Sequence, residues 1–575
     1  MLKLQYFCLL LMSLLLVSCN KDGVIEVEGK PTITLDSETG IYRVKVGNVL
    51  TISPQVSNKT NATYTWTIDD KVVSKAPSLT VFYDEPQTVY VTFKVENASG
   101  MAQEDIKIEV IDLALPEIVY LEPESGLRTL QNTDLLIAPD YQCDDEFTCQ
   151  WLRDGKVVGT DKSYVFNESQ LGKYVVTLEA TNEDGTTTRD FNIEVVDRLD
   201  YILVRFDTPS YYQTTTDRNT IVGRPVYLKP RIENLSNATY SWAVNGVDVA
   251  GATSESYVFT PTAVGNYTVS VKASDALQKL TVEASVNVHC YASADNARAK
   301  TAGSSKYAGT VYEFVPAPGQ YVNETAMAGY SGDETTHSAA VAYATRRLQN
   351  GNFVSLGGFG GYIIVGFDHS IMAGSGDYDF AIKGNSYNTD NGNSNEPGIV
   401  WVMQDTNGNG LPDDEWYELK GSETGRNGTL QNYSVTYYRP TGAGQSVHWR
   451  DSEGATGTID YLGEYHPQAY YYPNWITADS YTLRGTRLAS RNVLNSTTGY
   501  WSTNPFDWGY ADNAGSDALS DQRIGFKIAN AMYSDGTPIS LKYIDFVKVQ
   551  VANNAKSGWL GEMSTEVFSF EDLSM

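Results

Sequence analysis

The stretch from Asp405 to Glu415 (Asp-Thr-Asn-Gly-Asn-Gly-Leu-Pro-Asp-Asp-Glu) is the part of the chain best suited to hold a cation. Oxygen-bearing side chains at its first, third, fifth and ninth positions, with glycine at the sixth, follow the opening of a Ca²⁺ loop. In such a loop, alternate residues of a tight turn converge their oxygens on one ion. The twelfth position is Trp416 instead of the usual bidentate glutamate, so Asp414, Glu415 or a distant residue would complete the shell. Asp405, Asn407, Asn409, Asp413 and Asp414 are therefore candidate ligands of a structural Ca²⁺, and the alternative is a plain Asn/Gly turn. A second group is aromatic: His466, Tyr470, Tyr471, Tyr472 and Trp475, followed by Trp501, Phe506, Trp508 and Tyr510. Strand neighbours alternate between faces, so three adjacent tyrosines cannot all enter one core. An exposed remainder, with flat faces and polar tips, suits a planar ligand or a sugar. The competing reading is packing. Glu396, in the loop Ser394-Asn395-Glu396-Pro397-Gly398, is a further candidate metal ligand or ligand contact, set against a solvated turn.

Signatures of the common enzymes are missing. There is no His-Glu-x-x-His, no Gly-x-Ser-x-Gly and no phosphate loop. Leu356-Gly-Gly-Phe-Gly-Gly361 leads into a strand pattern and so is no dinucleotide fingerprint; its glycines suit tight turning or close strand approach. A carboxylate pair for glycoside hydrolysis needs no local motif and stays open. The net charge of −28 would repel phosphate backbones, which argues against nucleic acid as a partner.

At the N-terminus, Lys3 precedes an apolar run from Leu9 to Val17, too short to span a bilayer but suited to a signal peptide. Leu16-Val17-Ser18-Cys19 resembles a lipobox, so residues 1–18 are expected to be removed and Cys19 to carry lipid, with residues 19–29 as a linker. Asn20-Lys21-Asp22 resembles the export signal of surface lipoproteins in Bacteroidetes, which implies an outer-membrane anchor facing the cell surface. Of the five cysteines, Cys143, Cys149 and Cys290 remain for the folded chain. Cys143 and Cys149 flank a turn and form a possible disulfide, leaving Cys290 as a buried thiol.

The elements that must position these residues are almost all strands. Tyr64-Thr65-Trp66, Cys149-Gln150-Trp151 and Tyr240-Ser241-Trp242 recur at spacings of 85 and 91 residues, each followed by a polar turn. Each copy then has an alternating strand: Val89 to Val95, Tyr174 to Ala180, and Tyr267 to Ala273. A tryptophan facing such a strand is the core arrangement of an immunoglobulin-like sandwich. Together these features resemble the PKD family of extracellular domains. The resemblance implies three tandem sandwiches (30–112, 113–197 and 198–290) with no enzymatic site, serving as spacers or interaction modules. Fully extended, they would form a stalk of roughly 100 Å. Residues 295–575 differ: Gly/Asn turns separate alternating runs such as Gly398 to Val402 and Tyr543 to Val551, and one helix is expected from Ser338 to Leu348. The expected fold is all-β, with the three sandwiches followed by a larger jelly-roll-like β-sandwich.

Gly361 to His369, Tyr378 to Asn385, Ser394 to Val402 and Asp545 to Val549 resemble the C-terminal domain of PKD-bearing Bacteroidetes surface lipoproteins. Some members of that group are similar to proteins that capture cobalamin beside outer-membrane corrinoid transporters. The resemblance implies a non-enzymatic surface lipoprotein that binds cobalamin as a ligand, not a cofactor, and delivers it to a TonB-dependent transporter. A glycan-binding lipoprotein of a polysaccharide-utilisation system is the alternative, and a carboxylate-based glycoside hydrolase the third reading.

Overall fold

The computed structural model describes residues 29–575 except 38, 236, 276–278 and 391. Cys19 and the residues around it lie outside the described part. Strands make up 46% of the chain and helices 4%, so it is an all-β protein. No helix among the described residues is long and apolar enough to cross a membrane. The chain forms two compact units. One comprises the described residues up to Pro116 with Cys143–Phe147 and Thr181–Thr186; the other is Glu117–Gln142, Thr148–Ala180 and Thr187–Met575.

One topology occurs three times. In the first repeat the strand order is Ile41–Lys45, Gly100–Ile111, Gln87–Asn97, Thr63–Ile68 and Lys71–Ser74, with the first two parallel. The second (Leu127–Leu130, Gly185–Val196, Gly172–Asn182, Thr148–Arg153, Lys156–Gly159) and third (Arg218–Ile221, Leu280–Tyr291, Gly265–Asp275, Ala238–Val244, Val247–Asp248) repeat that order. Short two-stranded ladders, such as Val49–Ile52 with Leu79–Phe82, accompany each sheet. The hairpin after each tryptophan turns through two residues of positive φ: Asp69-Asp70, Asp154-Gly155 and Asn245-Gly246. Left-handed pairs of this kind match the right-handed twist of the flanking strands.

Trp66, Trp151 and Trp242 are fully buried. Their indole N–H groups donate to the carbonyls of Ala76, Asp161 and Ser254 at 2.8–2.9 Å, so each large ring is buried with its polar atom satisfied. Cys149 faces the core of the second repeat, whereas the Cys143 thiol donates to the Asp145 carbonyl at 3.3 Å; both are free, and the expected disulfide is not formed.

The C-terminal domain is a larger β-sandwich. An antiparallel six-stranded sheet runs in the order Thr310–Val315, Tyr362–Met372, Tyr543–Val551, Gly398–Met403, Trp416–Leu419 and Ala531–Met532. A four-stranded sheet (Thr456–Ile459, Val447–Asp451, Leu430–Tyr438, Ser480–Arg487) and a three-stranded sheet (Arg523–Phe526, Phe380–Lys383, Ser569–Asp572) share its apolar core. The expected helix spans His337–Gln349. Thr336 caps it by accepting from Ala339 N–H, and Ala340, Tyr343 and Ala344 are buried on its inner face. The glycine run before the Tyr362 strand marks close approach: a Cβ on Gly361 would lie 1.9 Å from the Leu356 carbonyl oxygen.

Replacing Trp242 by alanine should remove the centre of the third sandwich and leave the Ser254 carbonyl without its donor. The expected cost is about 3–5 kcal/mol, read from denaturant unfolding. A loss below 1 kcal/mol would show that the ring is not a core element.

Candidate functional site

The register of the six-stranded sheet places one residue from each strand in a single row. Glu313 opposes Ile364, Ile364 opposes Lys548, and Lys548 opposes Trp401. Trp401 in turn opposes Glu418, which opposes Met532. Directly opposed residues of an antiparallel ladder share a face, so this row gathers two carboxylates, an ammonium and an indole on one surface. Tyr362 and Gln550 form the neighbouring opposed pair on that face.

A cleft of about 460 Å³ lies over the Lys548, Trp401, Glu418 and Met532 part of this row. Its walls include Gln431, Asn432, Arg484 and Thr486 of the C-terminal domain, Ser210, Tyr211 and Tyr227 of the third repeat, and Glu124 of the second. At its floor, Lys548 Nζ meets ring faces: 4.8 Å from Trp401, 5.3 Å from Trp416 and 5.6 Å from Tyr362. Burial pulls the Lys548 pKa down to about 8, against the opposing charges of Glu313 and Glu418. Burial pushes Glu418 up to about 7, opposed by a 2.6 Å hydrogen bond from the Thr486 hydroxyl and by the charge of Lys548. Glu313 is held in place by donors from two domains, the Ser210 hydroxyl at 2.8 Å and the Tyr362 phenol. The indole N–H groups of Trp401 and Trp416 and the Gln550 side-chain oxygen are buried without partners, a concentration of unmet polar groups that packing alone does not favour.

The wall above the floor is ionic. Arg231 of the third repeat contacts Glu124 at 2.7 Å and Asp207 at 3.0 Å. Arg484 of the C-terminal domain contacts the same two carboxylates at 3.3 and 3.6 Å. These side chains are partly exposed, so each pair contributes modestly, but the four groups together fix which surfaces meet. Further contacts join the third repeat to the C-terminal domain: Arg224 donates to the Gln404 side chain at 2.9 Å, and Tyr212 stacks on His337 at 3.6 Å. The second and third repeats are thus not free spacers, and the extended three-domain stalk does not hold for them.

The Asp405–Asp414 loop folds back on itself. Asp405 accepts from the N–H groups of Gly408, Asn409 and Gly410. Asn407 and Asn409 use their amide oxygens on N–H groups of the loop and turn their nitrogens to Asp413, at 3.1 and 2.8 Å. Asp414 accepts from the Thr406 N–H and hydroxyl, and burial raises its pKa to about 7. The loop's outer side docks the third repeat: the carbonyls of Pro412 and Asp413 accept from Gln213 and Asn219.

The aromatic group is corrected. Residues 470–472 are not in a strand, so the alternation rule does not apply, and Tyr471 and Tyr472 both point inward. Each is fully buried, with its phenol donating to a carbonyl, of His466 and Ala478 respectively. Trp475 is core, 5.8 Å from Phe314, and His466 is buried with Nδ1 3.0 Å from Glu324. Tyr470 is exposed, and Trp501 and Trp508 are partly exposed, but none of the three lines the cleft. Of the rings that line it, Trp401, Trp416 and Tyr362 lie on strands whose apolar patterns conceal them. The one local signal was Lys548, the only basic residue of the Tyr543–Val551 strand, whose other charge is Asp545.

Residues 30–97, 116–182 and 213–275 each match the model of the PKD-like domain. The chain carries three PKD-like domains. Similar solved structures include an I-band fragment of titin (15% identity, 45% of this chain and 98% of that one, TM-score 0.22). The three N-terminal domains of the bacteriophage RB49 Highly Immunogenic Outer Capsid protein align at 16% identity, over 46% of this chain and 99% of that one, with a TM-score of 0.23. Fibronectin(III)-like modules of Clostridium thermocellum CbhA align at 19%, over 29% and 95%, with a TM-score of 0.18. Scores this low add nothing to the sandwich topology described above. No curated protein matches the chain significantly.

Glu418 yields a pH test. Its folded pKa, about 7, lies above the ordinary value of 4.5, so the folded state holds the proton more tightly and stability is lost as pH rises through about 7. Between about pH 5 and pH 8, Glu418→Gln should lose about 2–3 kcal/mol less than the parent in denaturant melts. Equal losses would show that Glu418 does not titrate in this window.

Proposed function

We propose that the chain is a lipid-anchored surface protein that captures a neutral, ring-bearing nutrient in the cleft over Lys548 and passes it to a TonB-dependent outer-membrane transporter. The observation that carries this reading is the row Glu418–Trp401–Lys548, framed by Tyr362 and Trp416 and walled by Gln431 and Asn432. Aromatic faces bind flat or ring-shaped solutes, and the amides and the Lys548 and Glu418 side chains offer hydrogen bonds of both polarities. No bond is made or broken in this reading; Glu418 and Lys548 are binding groups, and PKD-like domains typically serve without catalysis.

Cobalamin, the ligand implied by the sequence resemblance, would lie across the mouth of the cleft with an arm inside it, since a corrinoid exceeds its volume. A glycan is the second reading, and the volume of about 460 Å³ favours it because one or two sugar rings fit entirely. A bound Ca²⁺ at the Asp405 loop would serve the docking of the third repeat and not the ligand.

The test is calorimetric titration of the full chain with cyanocobalamin and, separately, with neutral oligosaccharides. Trp401→Ala and Trp416→Ala should each weaken binding about tenfold or more, as interface anchors do. Absence of binding by both ligand classes, or binding unchanged in both variants, would overturn the proposal. The anchor is tested separately: Cys19→Ala should move the protein from the membrane fraction to the soluble one.

A further inference from the structure

A second polar cluster lies away from the cleft, where three distant segments meet. The segment Glu396–Gly398 pairs with Ala511–Asp512 through reciprocal Gly398 and Ala511 hydrogen bonds, and Glu396 N–H donates to the Asp512 carbonyl. Glu566 opens a short strand opposite Ser355, and its N–H donates to Asp512 Oδ2 at 3.1 Å. Ligand-capable oxygens of Glu396, Asp512 and Glu566 thereby lie within 4.8 Å of one another. Asp512 is fully buried, Glu566 is 3% exposed and Glu396 is partly exposed.

The site is built, not incidental. Asp512 has a left-handed backbone (φ 50°), a conformation with a cost for aspartate. Its Oδ1 accepts the N–H groups of Asn385 and Ser386, both at 2.8 Å. A Cβ on Gly384 would come within 2.3 Å of that oxygen, so only glycine permits the approach. Two observations point to a missing positive partner. Glu566 Oε1 is buried with no hydrogen bond of good geometry, although the Ser355 and Ser564 hydroxyls lie near this carboxylate, and the Ser386 hydroxyl, whose N–H already serves Asp512, is buried without a partner. The Asn385 amide also faces the cluster. With its nitrogen toward Asp512 it donates to both carboxylate oxygens at 3.1 Å; with the amide reversed, its oxygen joins theirs and its nitrogen lies 3.4 Å from Glu566.

Three carboxylates this close repel one another strongly in a protein interior unless protonated or matched by a cation. Burial holds all three pKa values above the ordinary carboxylate range, and the charges of neighbouring carboxylates add to the rise at Glu396 and Glu566. Among the described residues, no lysine or arginine is paired with them. With carboxylate and amide oxygens and no thiol or imidazole, the donor set is that of a hard ion. We propose that Glu396, Asp512 and Glu566 form a Ca²⁺ site that clamps these three segments together, distinct from the Asp405 loop.

The test uses the full chain stripped with EDTA, then melted with and without Ca²⁺ and titrated with Ca²⁺ by calorimetry. Ca²⁺ should raise the Tm by about 3 °C or more, since it binds the folded state. Glu566→Gln should weaken Ca²⁺ binding at this site about tenfold or more, whereas Asp405→Asn should leave the affinity of this site unchanged. In EDTA, Glu566→Gln should melt no lower than the parent, because it neutralises one of three repelling charges; a purely structural carboxylate would give a lower Tm. No Ca²⁺ binding would overturn the proposal in favour of a shared proton. Full binding retained in Glu566→Gln, or lost in Asp405→Asn, would overturn it in favour of the loop.

Discussion

The antiparallel register of the Tyr543–Val551 strand is the constraint on which the cleft depends. A slip of one residue would turn Lys548 into the apolar layer and bring Val547 and Val549 out over the cleft. The opposite face prevents it: Val547 and Val549 oppose Val365, Val402, Ile363 and Val400, and all six are fully buried. Each such side chain is worth roughly 1.5–3 kcal/mol of burial. Together they outweigh the roughly 3 kcal/mol implied by depressing one lysine pKa from 10.5 to about 8. A charged residue is thus held among aromatic rings by the packing of its neighbours in the chain.

The same economy of means governs the repeats. An immunoglobulin-like sandwich buries its own core, as Trp242 shows, and leaves its loops free to meet another surface. In the third repeat the segment from Asp207 to Tyr212 serves this purpose: Ser210 fixes Glu313, Asp207 joins the arginine network, and Tyr211 N–H donates to the Tyr362 phenol at 2.9 Å. The module that looked like a spacer becomes a wall of the site. The Asp405 loop is the reciprocal device, a hydrogen-bonded knob of the C-terminal domain that receives Gln213 and Asn219.

Much of the fold was legible in the chain. The recurring tryptophans, the polar turns after them and the period-two strands specify three sandwiches, because each of these features acts over a few residues or within one small core. The helix after Thr336 was equally readable from its pattern. The reading failed where local rules were extended too far. Tyr470 to Tyr472 were treated as a strand, but an irregular backbone lets two neighbours share one core.

By itself, then, the sequence determined the all-β class, the three repeats and their cores, since periodicity and turn chemistry are local properties of the chain. Only the tertiary structure decided the sites. Glu313, Trp401, Glu418 and Lys548 come from four strands spread over more than two hundred residues, and Glu396, Asp512 and Glu566 from three segments nearly as far apart. Nothing in the spacing of such residues marks them as neighbours. Strand order and register bring them together, and those are settled by burial of the opposite, apolar face.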